Sequence, residues 1–259
     1  MKLNKVNEFR DLHKADKPLV IANVWDVASA LAAEKCGFDA IGTSSAAIAN
    51  ALGYKDGEEI PFEELLFVVT RIAKNTHLPF SVDLESGYSK DPEVTVSYIR
   101  QLSEIGVVGI NIEDSQVSGC RCIKDAETFA RYLTEITCGL NEQNLEIFVN
   151  VRTDTFLLGL DDAREETLRR ASLYQAAGAD GLFVPCITNL KDIEIVANSA
   201  SLPVNVMCMP ELPHFDELQA CGIKRISMGN FLFDKLQNEL TATFKTLTET
   251  GSFAPVFCK

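Results

Sequence analysis

The sequence predicts an α/β fold, a single (β/α)8 barrel of the TIM type over residues 1–259, on three observations. Short continuous apolar runs alternate with longer amphipathic stretches. Four of those stretches end in a similar glycine-led turn. No Ser/Gly/Pro-rich linker breaks the alternation. The runs at 19–24, 40–44, 80–84, 109–112, 147–151, 181–184, 204–207 and 225–228 are short and mostly lack polar alternation, as expected of parallel strands covered on both faces. Helical patterns fall between and after them at 27–35, 62–74, 92–105, 125–137, 161–177, 190–198, 215–220 and 232–247. Gly37, Gly106, Gly178 and Gly222 each follow a helical run, where a left-handed residue commonly ends a helix. A doubly wound sheet is the competing architecture, but no GxGxxG follows the first strand. Residues 1–17 are expected as a short extension, and a short tail follows the last helix.

Composition narrows the function. With 46% hydrophobic residues and a net charge of -13, the chain has ample core and no basic face for nucleic acid. Eight scattered cysteines in a chain of this size suggest reduced thiols rather than a disulfide framework. The first 17 residues are mostly charged and polar, and no apolar run is long enough to span a bilayer. A cytoplasmic protein without membrane partners is the expectation.

Active sites of such barrels form where the strands end. The first strand ends at Trp25 and Asp26, the second at Thr43, Ser44 and Ser45, the third at Asp83, Glu85 and Ser86, the fourth at Glu113 and Asp114, and the fifth at Arg152, Thr153 and Asp154. Asp114, Asp154 and Ser86 also suit a plainer role as helix caps. Asp83, Glu85 and Glu113 are harder to explain that way, because three convergent carboxylates repel one another unless a cation lies among them. Oxygen ligands without a nearby His favour Mg2+ or Mn2+ over Zn2+. A divalent ion facing Arg152 suits a small anionic 2-oxo acid and the enolate formed when a bond beside its carbonyl breaks. Ser44, with backbone N–H groups near Ser45, adds donors for the substrate carboxylate. Trp25 and Asn205, the latter in the seventh run, are further candidate substrate contacts, with rim packing the alternative for Trp25.

These motifs, in this order, resemble the phosphoenolpyruvate mutase/isocitrate lyase superfamily from Asn23 to Asn230. The matches are Gly42-Thr43-Ser44-Ser45, Asp56 after an LG turn, Asp83-Leu84-Glu85-Ser86-Gly87-Tyr88, Glu113-Asp114 and Arg152-Thr153-Asp154. The resemblance implies metal ligation by Asp83, with Glu85, Glu113 and Asp56 completing the shell, and carboxylate binding by Ser44, Ser45 and Arg152. It also implies a homodimer or homotetramer. Its activities make or break C–C or P–C bonds beside a 2-oxo acid carbonyl. A catalytically silent metabolite-binding barrel is the alternative. Three departures stand out. Glu85 replaces an Asp, Pro185 stands where the lyases carry a Glu, and the lyase Lys-Lys/Arg-Cys-Gly-His loop is replaced by SQVSGCRCIKD. Cys120 and Cys122 in that loop are candidate acid/base residues on a lid, or two ordinary loop thiols. The mutases' gating-loop Asn has no counterpart between Ser115 and Lys124.

Overall fold

The computed structural model describes residues 2–257. The chain begins with α1 (Lys2–Leu12), β1 (Leu19–Val20), β2 (Ala22–Val24), α2 (Val27–Lys35), β3 (Ile41–Thr43), α3 (Ser45–Leu52), α4 (Phe62–Ala73), β4 (Phe80–Asp83) and α5 (Pro92–Glu104). It continues with β5 (Gly109–Glu113), the hairpin strands β6 (Ser115–Ser118) and β7 (Cys120–Ile123), α6 (Ala126–Glu142), β8 (Phe148–Arg152) and α7 (Ala163–Ala176). The last elements are β9 (Gly181–Val184), α8 (Leu190–Ser199), β10 (Val204–Met207), α9 (Phe215–Ala220), β11 (Arg225–Ser227), α10 (Phe231–Thr250) and α11 (Ala254–Phe257).

The barrel strands pair in parallel in the order β1-β11-β10-β9-β8-β5-β4-β3-β2. The two ends of that order are one stave broken at Ile21. β1 pairs with β11 and β2 with β3, so the nearly closed barrel has the eight expected staves. Among the described residues, no helix is long and apolar enough to cross a membrane.

Three elements differ from the expectation. Residues 2–12 are not a loose extension: α1 places Val6 and Phe9 against Ile21, Val108 and Phe148, stopping the N-terminal end of the barrel. Gly109 makes room for this, since a Cβ there would lie 2.8 Å from the Phe9 ring. A short helix, α3, follows the second stave directly, with Ser44 as its N-cap accepting from the Ala47 amide at 3.3 Å. Residues 115–123 fold as an antiparallel hairpin with Ser115 opposite Ile123.

Register builds the interior in layers, because alternate residues of each stave point inward. β5 and β8 pair Gly109 with Phe148, Asn111 with Asn150, and Glu113 with Arg152. In these two staves the lowest layer is therefore apolar, the middle one amide, and the upper one charged. In the middle layer Asn150 donates to Asn111 at 2.9 Å and to Asn205 at 3.2 Å, while Asn205 donates to Ser227 Oγ at 3.1 Å.

Candidate active site

Strand register alone brings Glu113 and Arg152 together at the C-terminal mouth, where Arg152 Nη1 lies 3.0 Å from Glu113 Oε2. Asp154, two residues on and fully buried, accepts from Arg152 Nε at 2.6 Å and Nη2 at 3.2 Å. Burial opposes the charge on Arg152, but Glu113, Asp154 and Asp83 outweigh it and hold the guanidinium firmly protonated.

The turn after β4 delivers the next two acids. Glu85 has φ 47°, Gly87 φ 108° and Tyr88 φ 58°, so the chain coils tightly instead of running on from the strand. Gly87 is required: a Cβ there would lie 2.5 Å from the Tyr132 hydroxyl. Ser45 Oγ donates to Asp83 Oδ2 at 3.1 Å, and Tyr88 Oη donates to Glu85 Oε1 at 3.4 Å. Glu58, from the loop between α3 and α4, fastens this turn by accepting from Ser86 N at 2.8 Å, Ser86 Oγ at 2.9 Å and Tyr88 N at 2.9 Å.

The carboxylates raise one another's proton affinity. Burial, then Asp83, Asp56, Glu113 and Glu58, pushes Glu85 up to about 9. Burial also raises Asp83 against the opposing pull of Arg152, and raises Glu113 against Arg152 and Arg121. Among the described residues, no three His, Cys, Asp or Glu side chains are gathered as a formed cation cage. In donor chemistry Asp83 and Glu85 still fit a hard divalent ion: both are oxygen donors, and Glu85 lies among acids whose field favours added positive charge.

Not every predicted residue joins the site. Asp56 lies at its edge, 3.1 Å from Arg121 Nη2. Asn205 lies one layer down in the amide network. Trp25 packs edge-on against Phe233 of α10 at 5.2 Å, beside a groove away from the carboxylates. Cys120 and Cys122 are exposed on the outer side of β7, with their sulfurs 3.5 Å apart. Asp114, Asp154 and Ser86 do not cap the following helices, whose caps are Asp125, Asp162 and Asp91. Asp114 instead binds a buried knot, accepting from Thr153 Oγ1 at 2.7 Å, Arg170 Nη1 at 2.9 Å and Tyr174 Oη at 2.7 Å.

Sequence reasoning overlooked Arg121. It extends inward between the two outward thiols, pairs with Glu113, and reaches Ser115 Oγ at 2.8 Å and Asp154 Oδ2 at 3.3 Å. The signal was present in the alternation of Cys120-Arg121-Cys122-Ile123, since on a two-residue period the side chain between two outward ones faces in.

A parallel barrel whose C-terminal mouth gathers acids around two part-buried arginines has the layout of an α/β-barrel enzyme. Comparisons place the chain within that class. Residues 9–248 match the phosphoenolpyruvate phosphomutase family, and the chain belongs to it. An uncharacterised protein of Mycobacterium tuberculosis (strain ATCC 25618 / H37Rv) is 36% identical over 86% of this chain and 81% of its own length. Oxaloacetate decarboxylase 1 of Pseudomonas fluorescens (strain Pf0-1) is 30% identical over 83% of this chain and 75% of its own. Among solved structures, a Burkholderia cenocepacia J2315 protein with a phosphonomutase designation superposes with a TM-score of 0.88. It is 37% identical, with 93% of this chain and 99% of that one covered. The family therefore includes lyases and mutases that act on 2-oxo acids.

Proposed function

We propose that this chain breaks or forms a C–C or P–C bond beside the carbonyl of a small anionic 2-oxo acid, passing through an enolate, with Mg2+ or Mn2+ as its cofactor. The observation that carries the reading is Arg152, locked by Glu113 and Asp154 beside Asp83 and Glu85. Two of its five N–H groups donate to Asp154 and Nη1 lies 3.0 Å from Glu113 Oε2, which leaves donors for a substrate oxygen. The first turn of α3 supports the same end. Ser44 occupies the Ala47 amide, while the amides of Ser45 and Ala46 have no acceptor among the described residues, which suits a carboxylate at a helix N-terminus.

A divalent ion held by Asp83, with Glu85 and Glu113 behind it, would polarise the substrate carbonyl as a Lewis acid. The protein's own groups do the rest. Arg152 orients the carboxylate and shares the negative charge that develops on the carbonyl oxygen, and Ser45 fixes Asp83 in place. Arg121 and Asp56 draw the hairpin and the α3–α4 loop together over the mouth.

Among the family's reactions, decarboxylation of a 2-oxo acid with a carboxylate on the next carbon, the class of which oxaloacetate is the smallest member, fits this chain best. Carbon dioxide leaves without an acid catalyst, the bonding pair stays in the enolate, and the enolate carbon takes its proton from solvent. The similarity to an oxaloacetate decarboxylase supports this choice, as does the outward position of both hairpin thiols. The test is a Mg2+-supplemented screen of oxaloacetate, phosphonopyruvate and methylisocitrate, comparing wild type with Asp83→Ala and Arg152→Ala. Metal-dependent turnover of one compound, absent in both variants, is the expected result. Oxalate binding without turnover of any would identify a silent metabolite-binding barrel instead.

A further inference from the structure

Beside the carboxylate cluster lies an open-mouthed cavity of about 690 Å3, lined by the β4 turn, the hairpin and the start of α6. Glu85 and Glu113 belong to both the cluster and the cavity wall, so the two spaces adjoin. The same cavity is lined by Lys124 and by the exposed Lys90.

Lys124 is fixed where it stands. Its amide donates to the Asp114 carbonyl at 2.7 Å, and its carbonyl accepts from Arg170 Nη2 at 3.0 Å, tying its main chain to the buried Asp114 knot. Its ammonium has no hydrogen-bond acceptor or ion-pair partner among the described residues, and it lies over the Phe129 ring, 5.5 Å from the centroid. Burial lowers its proton affinity despite the attraction of Glu58, Glu113 and Asp114. A part-buried ammonium without a hydrogen-bond acceptor costs stability, and a pinned main chain limits any retreat into water. Such a group, facing a cavity that adjoins a reactive site, suits an anion brought in by the ligand.

We propose that Lys124 is a specificity-determining residue that receives an anionic group at the far end of the substrate. The inference rests on the proposed function, which puts the 2-oxo acid head at Arg152, and it adds the rest of the molecule. The cavity is in the range that holds ligands of roughly 300–1,000 Å3 sites, far more than the tail of a four-carbon acid fills. The substrate class is therefore a 2-oxo or 2-hydroxy acid whose carbon chain extends past Tyr88 and Phe129 and ends in a carboxylate or similar anion.

Calorimetric titration tests this without any turnover. The probes are oxalate, which has only the head, and the pair 2-oxohexanoate and 2-oxoadipate, which match in chain length and differ in the terminal carboxylate. Each is titrated with and without Mg2+ into wild type, Lys124→Met, Lys124→Arg and Arg152→Ala. In wild type, 2-oxoadipate is expected to bind about tenfold tighter than 2-oxohexanoate, as one charge-assisted contact allows. That advantage falls below about twofold in Lys124→Met and largely returns in Lys124→Arg, while oxalate binds all three alike and so reports an intact fold. An advantage that survives in Lys124→Met, or none in wild type, overturns the subsite while oxalate binding lost only in Arg152→Ala leaves the head reading standing. Failure of oxalate to bind wild type overturns both.

Discussion

At its N-terminal mouth the barrel is stopped by Val6 and Phe9 of α1, packed on Ile21, Val108 and Phe148. At its C-terminal mouth Arg121 and Arg152 stand among Asp56, Glu113 and Asp154, with Asp83 and Glu85 beside them. The lower end gains its stability from apolar area withdrawn from water, on which dilute ions and anionic ligands have little purchase. The upper end is cohesive only through pairing of opposite charges, so ions and anionic ligands change it. The amide layer of Asn111, Asn150 and Asn205 lies between them, its members hydrogen-bonded to one another and to Ser227, and separates one chemistry from the other. Stability and reactivity are thus assigned to opposite ends of the same staves.

The sharpest way to break this division is Arg152→Ala. It leaves Glu113 and Asp154 to Arg121 and is expected to lower kcat/KM on the compound that turns over by about 10^3-fold or more. If the ends are independent, its melting temperature changes far less than its activity. The converse substitution is Phe9→Ala at the other end. It removes a fully buried ring and is expected to cost about 3–4 kcal/mol in denaturant unfolding, with kcat unchanged in the molecules that remain folded.

The lower mouth also contains a titratable group. Burial first, then the charge of Arg225, lowers His13 to about 3, against the opposing effect of its hydrogen bond to the Phe9 carbonyl. Unfolded, the imidazole takes a proton near 6.5, so its contribution is fully present above that pH and is lost as the pH falls towards 3. Between pH 6.5 and 4.5 the protein should lose about 2–3 kcal/mol from this residue. His13→Phe, stacked in its place on Phe148, should flatten that part of the stability profile. An unchanged slope in the variant would assign the acid sensitivity to other groups.

Smaller effects belong to the hairpin. Arg121→Gln removes the link from hairpin to loop, and a fall in kcat/KM of about tenfold is expected, read chiefly in KM. Cys120→Ser combined with Cys122→Ser should change kcat/KM by less than about twofold, since both thiols face away from the carboxylates. A large loss in the double variant, with Arg121 intact, would reverse the assignment of inward and outward faces.

All eight staves were legible because a parallel strand buried on both faces leaves a short, mostly apolar run, unbroken in 181–184 and interrupted only by Asn111 in 109–112. The acids and Arg152 were legible because strand ends define where a barrel works. Helix α1 was not, since it buries Val6 and Phe9 on one edge within a mostly polar segment, and one narrow stripe scarcely marks a helix. Helix α3 is eight residues, largely alanine, too short and too small in side chain to show a period. Glu58 escaped because its value lies in meeting Ser86 and Tyr88, a contact across 28 and 30 residues that no local pattern encodes. Arg121 was passed over for the cysteines beside it, although strand alternation had already separated their faces.

That alternation has a genetic consequence. Cys120, Arg121 and Cys122 occupy successive positions on one short strand, so insertion or deletion of a single codon ahead of them would turn a thiol towards Glu113 and the guanidinium towards solvent. An exchange between a permanent positive charge and a proton-transferring sulfur at this mouth thus lies one reading-frame-preserving indel away, with every stave of the barrel left untouched.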